Sequence, residues 1–154
     1  MTGASGFLGQ KMVAALLEQG KFEVVRAVDV VAPKFVHPNV ENIKGNILDE
    51  ACLLKAFQDV ETVYHVASLI DLRKEEHREY KLRLVNIVGC QNVVTACIRK
   101  GVKKLVYTSS AAVTFDGKPG IFSEEHFEKN PSVLITAYGQ TKRSGLPSSS
   151  SSII

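Results

Sequence analysis

A tyrosine and a lysine four residues apart, Tyr138 and Lys142, are the clearest candidates for chemistry in this sequence. On a helix, side chains at this spacing share one face. A phenol has a reference pKa of about 10 and is a poor base at neutral pH, but a nearby ammonium favours the phenolate. The pair can then exchange a proton with an alcohol. The same spacing also arises by chance on helix surfaces, so a catalytic role for the pair must be supported by other residues of the sequence.

Ser110 is the first of these further residues, because it ends a predicted strand over residues 103–110. Ligands of open α/β sheets bind outside the carboxyl ends of the strands. A hydroxyl at such a place can hold a substrate oxygen in line with an acid or base. We therefore predict Tyr138 as the acid/base, Ser110 as a substrate-orienting group and Lys142 as the cation beside the phenol.

Three glycines, Gly3, Gly6 and Gly9, recur at every third position and open a predicted helix. Such a turn offers free N–H groups and a positive dipole end to a phosphate. Asp29 ends a predicted strand over residues 22–30, where a carboxylate can bind a ribose 2′-hydroxyl and repel a 2′-phosphate. Singly these features also suit a plain turn and a strand-end acid. Together the glycines and Asp29 predict that the chain binds NAD in preference to NADP. If NAD is the cofactor, Lys142 is expected to hold its nicotinamide ribose.

The remaining pattern alternates strands with helices, which is typical of a doubly wound parallel α/β sheet with a Rossmann-like fold. Further strands are predicted at residues 40–44, 62–68 and 103–110, and further helices at 50–58, 84–100 and 138–143, with a charged stretch at 71–83. The last long helix is predicted to turn Val85, Val88, Gly89, Asn92, Val93 and Ala96 to one side. Since only Met1 and Thr2 precede Gly3, we expect the central first strand to be missing.

Composition limits the functional classes. We predict a partial dinucleotide-binding domain over residues 1–143, a loop over residues 111–137 and a disordered serine-rich tail over residues 144–154. The net charge of +3 is mild and does not indicate nucleic-acid binding. Cys52, Cys90 and Cys97 have no metal-type spacing and favour a reducing compartment. No signal peptide or membrane-spanning run is found, so we expect a location in the cytoplasm or on the cytosolic face of the endoplasmic reticulum.

Five segments, at residues 2–9, 65–68, 86–93, 105–110 and 138–142, resemble the extended short-chain dehydrogenase/reductase family. The residues from Leu105 to Gly117 look most like its 3β-hydroxysteroid dehydrogenase/isomerase branch, which includes sterol-4-carboxylate 3-dehydrogenases. The resemblance extends from residue 2 to about residue 143 and places these motifs in the family's order. Because the family's pattern would continue beyond Arg143 into a C-terminal substrate domain, the resemblance implies that this domain is missing here.

The resemblance implies specific roles for site residues. The implied cofactor-binding residues are Gly3, Ser5, Gly6, Phe7, Leu8 and Gly9 along the glycine motif, Asp29 at the adenosine ribose, Asn46 and Ile47 at the adenine, Ala67 and Ser68 in the cofactor cleft, and Tyr138 and Lys142. Asn86 is implied to support the catalytic residues, although structural packing explains it equally well. His65 is expected to be a packed strand residue.

These observations predict an NAD-dependent oxidoreductase that interconverts a secondary alcohol and a ketone. The expected small-molecule substrate is a 3β-hydroxysteroid or a sterol. A complete form of the protein could assemble as a homodimer. Two alternatives stay open. One is another extended-family reaction, such as flavonoid-type ketone reduction or nucleotide-sugar epimerisation. The other is a truncated, non-catalytic module that binds NAD or a partner.

Overall fold

The computed structural model describes residues 1–71, 76–114 and 136–145. The described residues form two compact units, of which the first holds residues 1–68 and 92–108 and the second the remainder. The elements are α1 (Phe7–Glu18), β1 (Val25–Asp29), β2 (Val40–Lys44), α2 (Glu50–Ala56), β3 (Thr62–His65), α3 (Glu76–Arg83), a π-helical turn (Leu84–Gly89), α4 (Cys90–Arg99), β4 (Lys104–Tyr107), a 3₁₀ turn (Ala111–Val113) and α5 (Ala137–Ser144).

The strands of the first unit are parallel. β1 pairs with β2, and β3 pairs with β4. Thr2 forms parallel bridges to both Val28 and His65, so the first two residues lie between β1 and β3. The Thr2 N–H donates to the Tyr64 carbonyl at 2.9 Å, and the Val28 N–H donates to the Met1 carbonyl at 2.9 Å. The spatial order is therefore β2, β1, the Met1–Thr2 segment, β3 and β4.

Helices cover both faces of this sheet. Ala27 of β1 belongs to the same buried cluster as Val13 of α1. Its neighbour Arg26 points to the opposite face, because side chains alternate along a strand. There its guanidinium donates to the carbonyls of Ala56 and Gln58 at the end of α2. The placement of α1 and α2 on opposite faces confirms the predicted doubly wound α/β fold.

Local signals placed several boundaries correctly. β2 occupies the predicted residues 40–44, and α2 begins after Asp49, whose carboxylate accepts the Cys52 N–H at 3.0 Å. Gly20 follows α1 with a φ of +61°, a conformation that favours glycine. β1, β3 and β4 are shorter than predicted, since the ladders pair only five, four and four residues.

The predicted helix over residues 84–100 differs from the structure in two ways. Helical structure already begins at Glu76 in α3, and residues 84–89 form a π-helical turn. The predicted apolar face is wrong at Val88, which is 41 % exposed, whereas Asn86 and Cys90 are buried. A π turn adds a residue to the helical turn and so rotates the buried stripe.

No described helix is long and apolar enough to cross a membrane. Most of the loop predicted over residues 111–137, and most of the serine-rich tail, lie outside the described residues.

Candidate functional site

The glycine turn is built by close contacts between backbone segments. Gly3 has a φ of +75°, and a Cβ atom added to it would lie 2.5 Å from the Ala67 amide nitrogen. A Cβ atom added to Gly9 would collide with the Gly3 carbonyl. The Gly6 N–H donates to that same carbonyl at 3.2 Å. Glycine is therefore required at positions 3 and 9 for the turn to fold tightly against the segment after β3.

The amino end of α1 faces out of this turn without a side-chain cap. Its N-cap residue, Gly6, has extended backbone and makes no capping bond. The first N–H groups of a helix lack intrahelical partners and carry the positive end of its dipole. Phe7 is 85 % exposed, because the buried stripe of α1 passes through Gly9, Val13 and Leu16. These features fit an anionic group such as a phosphate.

Asp29 ties the end of β1 to the glycine turn. Its Oδ2 accepts the Ser5 N–H at 3.0 Å, and its Oδ1 accepts the Val31 N–H at 3.0 Å. The Ser5 hydroxyl donates to the Val31 carbonyl at 2.7 Å. An ionised carboxylate has about four acceptor positions. Two of them bind the backbone, so capacity remains for a ribose hydroxyl.

The other predicted cofactor residues follow the next strands. Asn46 is exposed after β2, where its Oδ1 accepts the Leu48 N–H at 3.0 Å. Ile47 is buried, and its carbonyl accepts a hydrogen bond from Asn92 Nδ2 at 3.1 Å. Ala67 and Ser68 follow β3. Because the strands are parallel, these turns share one edge of the sheet with Gly3 and Asp29.

His65 is a packed strand residue, as expected. It is 1 % exposed, and its Nδ1 lies 2.7 Å from the Thr2 hydroxyl. Its ring lies 5.5 Å from the ring of Tyr107 in β4.

The second unit carries the predicted catalytic residues. The Ser110 hydroxyl accepts the Ala112 N–H at 3.2 Å and opens the 3₁₀ turn. The predicted helix around Tyr138 is present as α5, and Thr136 is its N-cap residue. The Thr136 side chain accepts the Gly139 N–H at 3.0 Å. A Cβ atom added to Gly139 would collide with the Ala112 carbonyl. The Tyr138 helix thus packs directly on the turn that Ser110 opens.

Lys142 is a buried cation one helical turn after Tyr138. It is 2 % exposed, and burial lowers the pKa of its ammonium from 10.5 to about 8. Burial also raises the pKa of the Cys90 thiol to about 11, an effect that the charge of Lys142 opposes. At pH 7 the lysine therefore keeps its proton but holds it much less tightly than a solvated lysine.

Asn86 connects α5 to the segment after β3. Its Oδ1 accepts the Leu69 N–H at 2.8 Å, and its Nδ2 donates to the Leu69 carbonyl at 2.9 Å. Nδ2 also donates to the Thr141 hydroxyl at 3.1 Å. Sequence reasoning did not select Thr141. Its one available signal was the three-residue spacing from Tyr138, which puts both on one helix face.

The family model of the 3-beta hydroxysteroid dehydrogenase/isomerase family matches residues 1–145. The chain belongs to this family. The matched range contains every candidate residue described above, from the glycine turn to Lys142.

Named relatives agree with this membership. The chain is 38 % identical to the mouse sterol-4-alpha-carboxylate 3-dehydrogenase, decarboxylating, over 75 % of this chain and 30 % of that protein. It is 31 % identical to the Arabidopsis thaliana 3beta-hydroxysteroid-dehydrogenase/decarboxylase isoform 2, over 94 % of this chain and 28 % of that protein. The chain spans about a third of the length of the curated relatives it matches.

A solved structure extends the likeness to the fold. The structure of MoeE5 in complex with UDP-glucose and NAD aligns with a TM-score of 0.76 and 28 % identity. The alignment covers 94 % of this chain and 45 % of that chain. A member of the 3-beta hydroxysteroid dehydrogenase/isomerase family thus shares its fold with an NAD-bound protein.

Proposed function

We propose that the chain carries the NAD-binding and proton-transfer residues of an oxidoreductase that interconverts a secondary alcohol and a ketone. The observation that carries this proposal is the buried Lys142, one turn from Tyr138 on a helix that packs against the Ser110 turn. Burial of a cation is costly, so a buried lysine one helical turn from a tyrosine favours a chemical role over a structural one.

The residues present suit a dinucleotide. The glycine turn leaves no room for a side chain at Gly3 or Gly9, and the amino end of α1 has no side-chain cap. The N–H groups there would hold the pyrophosphate, while Asp29 would accept hydrogen bonds from the adenosine ribose. When bound, NAD supplies the acceptor for the hydride that leaves the carbinol carbon.

The residues of the second unit then handle the proton. The Tyr138 oxygen takes the proton of the substrate hydroxyl in the oxidative direction and returns it in the reductive direction. The Lys142 ammonium would hold the nicotinamide ribose. The Ser110 hydroxyl holds the substrate oxygen in line with Tyr138.

A 3β-hydroxysteroid or sterol is the proposed substrate class. Family membership and the names of the mouse and Arabidopsis relatives support it. A sugar nucleotide is the second candidate, favoured by the 28 % identity to MoeE5, whose structure holds UDP-glucose. The two classes share the cofactor and the proton chemistry and differ in the substrate.

The test is NAD-dependent turnover by the protein that carries this sequence. We expect NADH to form with a 3β-hydroxysteroid, and much more slowly with its 3α epimer as the matched control. Turnover of UDP-glucose alone would favour the second candidate. Saturable NADH binding without turnover of any alcohol or ketone would contradict the proposal and favour a non-catalytic binding module.

A further inference from the structure

The side chains of Asn86 and Thr141 make a series of hydrogen bonds in which each donor and acceptor can be assigned. The Leu69 N–H can only donate, so the Asn86 atom that faces it must be the carbonyl oxygen. Nδ2 is then a donor both to the Leu69 carbonyl and to the Thr141 hydroxyl oxygen. The hydroxyl proton of Thr141 is left for the Tyr138 carbonyl, which lies 2.8 Å away. Every hydrogen of the Asn86 amide is used in this chain of bonds.

The last of these hydrogen bonds reaches the turn of α5 that carries Tyr138 and Lys142. In an α-helix the N–H of residue i+4 donates to the carbonyl of residue i. The Tyr138 carbonyl is therefore the helical acceptor of the Lys142 N–H as well as the acceptor of the Thr141 hydroxyl. The hydrogen bonds from Asn86 thus reach the Tyr138 carbonyl, which also accepts the backbone N–H of Lys142.

The surroundings leave these groups little freedom. Thr141 is 1 % exposed and Asn86 is 3 % exposed. Just past α5, a Cβ atom added to Gly145 would lie 2.5 Å from the Asn86 carbonyl oxygen and 3.3 Å from Cys90 Cβ. Asn86 itself lies within the π-helical turn, a local form that is frequent at functional sites.

We propose that Thr141 is a positioning residue, whose hydroxyl fixes the Tyr138–Lys142 turn of α5 to the Asn86 side chain. This inference rests on the proposed roles of Tyr138 and Lys142. Thr141 touches neither substrate nor cofactor in this scheme. It acts by holding the backbone of this turn in place, which keeps the Lys142 ammonium buried and fixes the position from which the Tyr138 side chain extends.

The test removes the hydroxyl and keeps the volume. Thr141→Val is nearly isosteric, Thr141→Ser restores the hydroxyl, and Ser144→Ala removes an exposed hydroxyl from the same helix as the matched control. The first readout is the pKa of Lys142, measured by competitive chemical labelling and mass spectrometry across pH. We expect about 8 in the parent, the Ser variant and the control, and a rise towards 10.5 in the Val variant, because the released turn moves the ammonium towards water.

The second readout is turnover per NADH-binding site. A displacement of about 1 Å can cost about 100-fold in rate, so we expect kcat to fall at least about tenfold in Thr141→Val, with KM and the Kd for NADH nearly unchanged. A role in folding alone would lower the amount of binding-competent protein and leave kcat per site intact. Should Thr141→Val not fold, Thr141→Ala carries the same expectations.

The outcomes separate the two proposals. A Val variant whose Lys142 titrates as in the parent overturns the positioning role, whatever its rate. Failure of Thr141→Ser to restore the parent values overturns it as well. A parent protein that turns over no alcohol or ketone refutes the proposed function, while the titration of Lys142 still decides the role of Thr141.

Discussion

At the residue scale, two of the proposed site residues carry charges in different environments. The Asp29 carboxylate accepts two backbone N–H groups at the rim of the glycine turn, whereas the Lys142 ammonium is buried and has a lowered pKa. The carboxylate therefore serves the backbone and, in the proposed function, a ribose as well, whereas the cation is buried at a desolvation cost. These differences determine how each residue should respond to substitution.

Asp29 is expected to set cofactor preference and also to hold the turn. We expect tighter binding of NADH than of NADPH, because the carboxylate would repel a 2′-phosphate. Asp29→Ala with Val30→Arg should weaken that preference. Asp29→Ala alone should also lower the free energy of unfolding by about 1–2 kcal/mol, because the Ser5 and Val31 N–H groups lose their acceptor.

The measurements are fluorescence titrations with both cofactors and chemical denaturation of each variant. Lys34→Ala, a change in the loop after β1, is the control. Tighter binding of NADPH than of NADH by the parent would rule out the assignment of Asp29.

Tyr138→Phe should abolish turnover and leave NADH binding nearly intact. The hydroxyl is needed for proton transfer and not for holding the dinucleotide. Paired measurements of kcat and of the Kd for NADH test this expectation, with Tyr80→Phe, a change at an exposed tyrosine of α3, as the control. Near-parental turnover by the Tyr138 variant would show that another group moves the proton.

The buried lysine predicts a pH dependence of stability. Lys142 has a pKa of about 8 in the folded state and an ordinary value of 10.5, so the unfolded chain binds more protons between these values. Its contribution to the free energy of unfolding should therefore rise with pH from about 8 to 10.5. Relative to Lys142→Met, the parent should gain about 1 kcal/mol between pH 8 and pH 9, allowing for solvent screening.

Denaturation curves of both proteins at pH 7, 8 and 9 measure this difference. The raised pKa of Cys90 lowers the free energy of unfolding as the pH rises, because the unfolded chain loses the thiol proton at a lower pH than the folded chain. Measurements up to pH 9 avoid most of this opposite effect. A parent-to-variant difference that stays constant across the window would contradict burial of the charged ammonium.

At the element scale, α5 is positioned by close backbone packing as well as by hydrogen bonds. Gly139 allows the helix to approach the Ala112 carbonyl, and Gly145 allows its end to approach the Asn86 carbonyl. The glycine turn before α1 uses the same device at Gly3 and Gly9. In both places the absence of a Cβ atom decides how near an element comes to its neighbour.

Gly139→Ala should displace α5 from the Ser110 turn. The added Cβ atom meets a backbone carbonyl, which cannot rotate away as a flexible side chain would. We expect a loss of about 1–3 kcal/mol in stability, as for other overpacked sites, and a larger loss in kcat than in NADH affinity. The control is Gly101→Asn, because Gly101 has open space around it and Asn tolerates its positive φ. A fully active Gly139→Ala variant would show that this packing does not position Tyr138.

At the scale of the whole molecule, the first unit carries the glycine turn and Asp29, and the second carries Ser110, Tyr138 and Lys142. The predicted homodimer and cytosolic location stay predictions.

NADH should stabilise the chain by mass action. A ligand that binds only the folded state adds about 2.7 kcal/mol when its free concentration is 100 times its Kd. For a chain of this size that corresponds to a rise in Tm of about 5–10 °C. Thermal unfolding with increasing NADH measures it, with Asp29→Ala as the weaker-binding control. A Tm independent of NADH would contradict cofactor binding by the described residues.

The sequence by itself determined the features that depend on local order along the chain. The glycine spacing, the acid after β1, the strand–helix alternation and the Tyr138–Lys142 pair are readable because turns, strands and helices impose short periods on neighbouring residues. The tertiary structure alone decided the contacts between distant residues. Asn86 and Thr141 are 55 positions apart, and the residues around either position do not indicate which distant residue the fold brings into contact with it. The π turn that exposes Val88 and the burial that lowers the pKa of Lys142 were decided in the same way. Both depend on packing against other segments, and no local pattern encodes that packing.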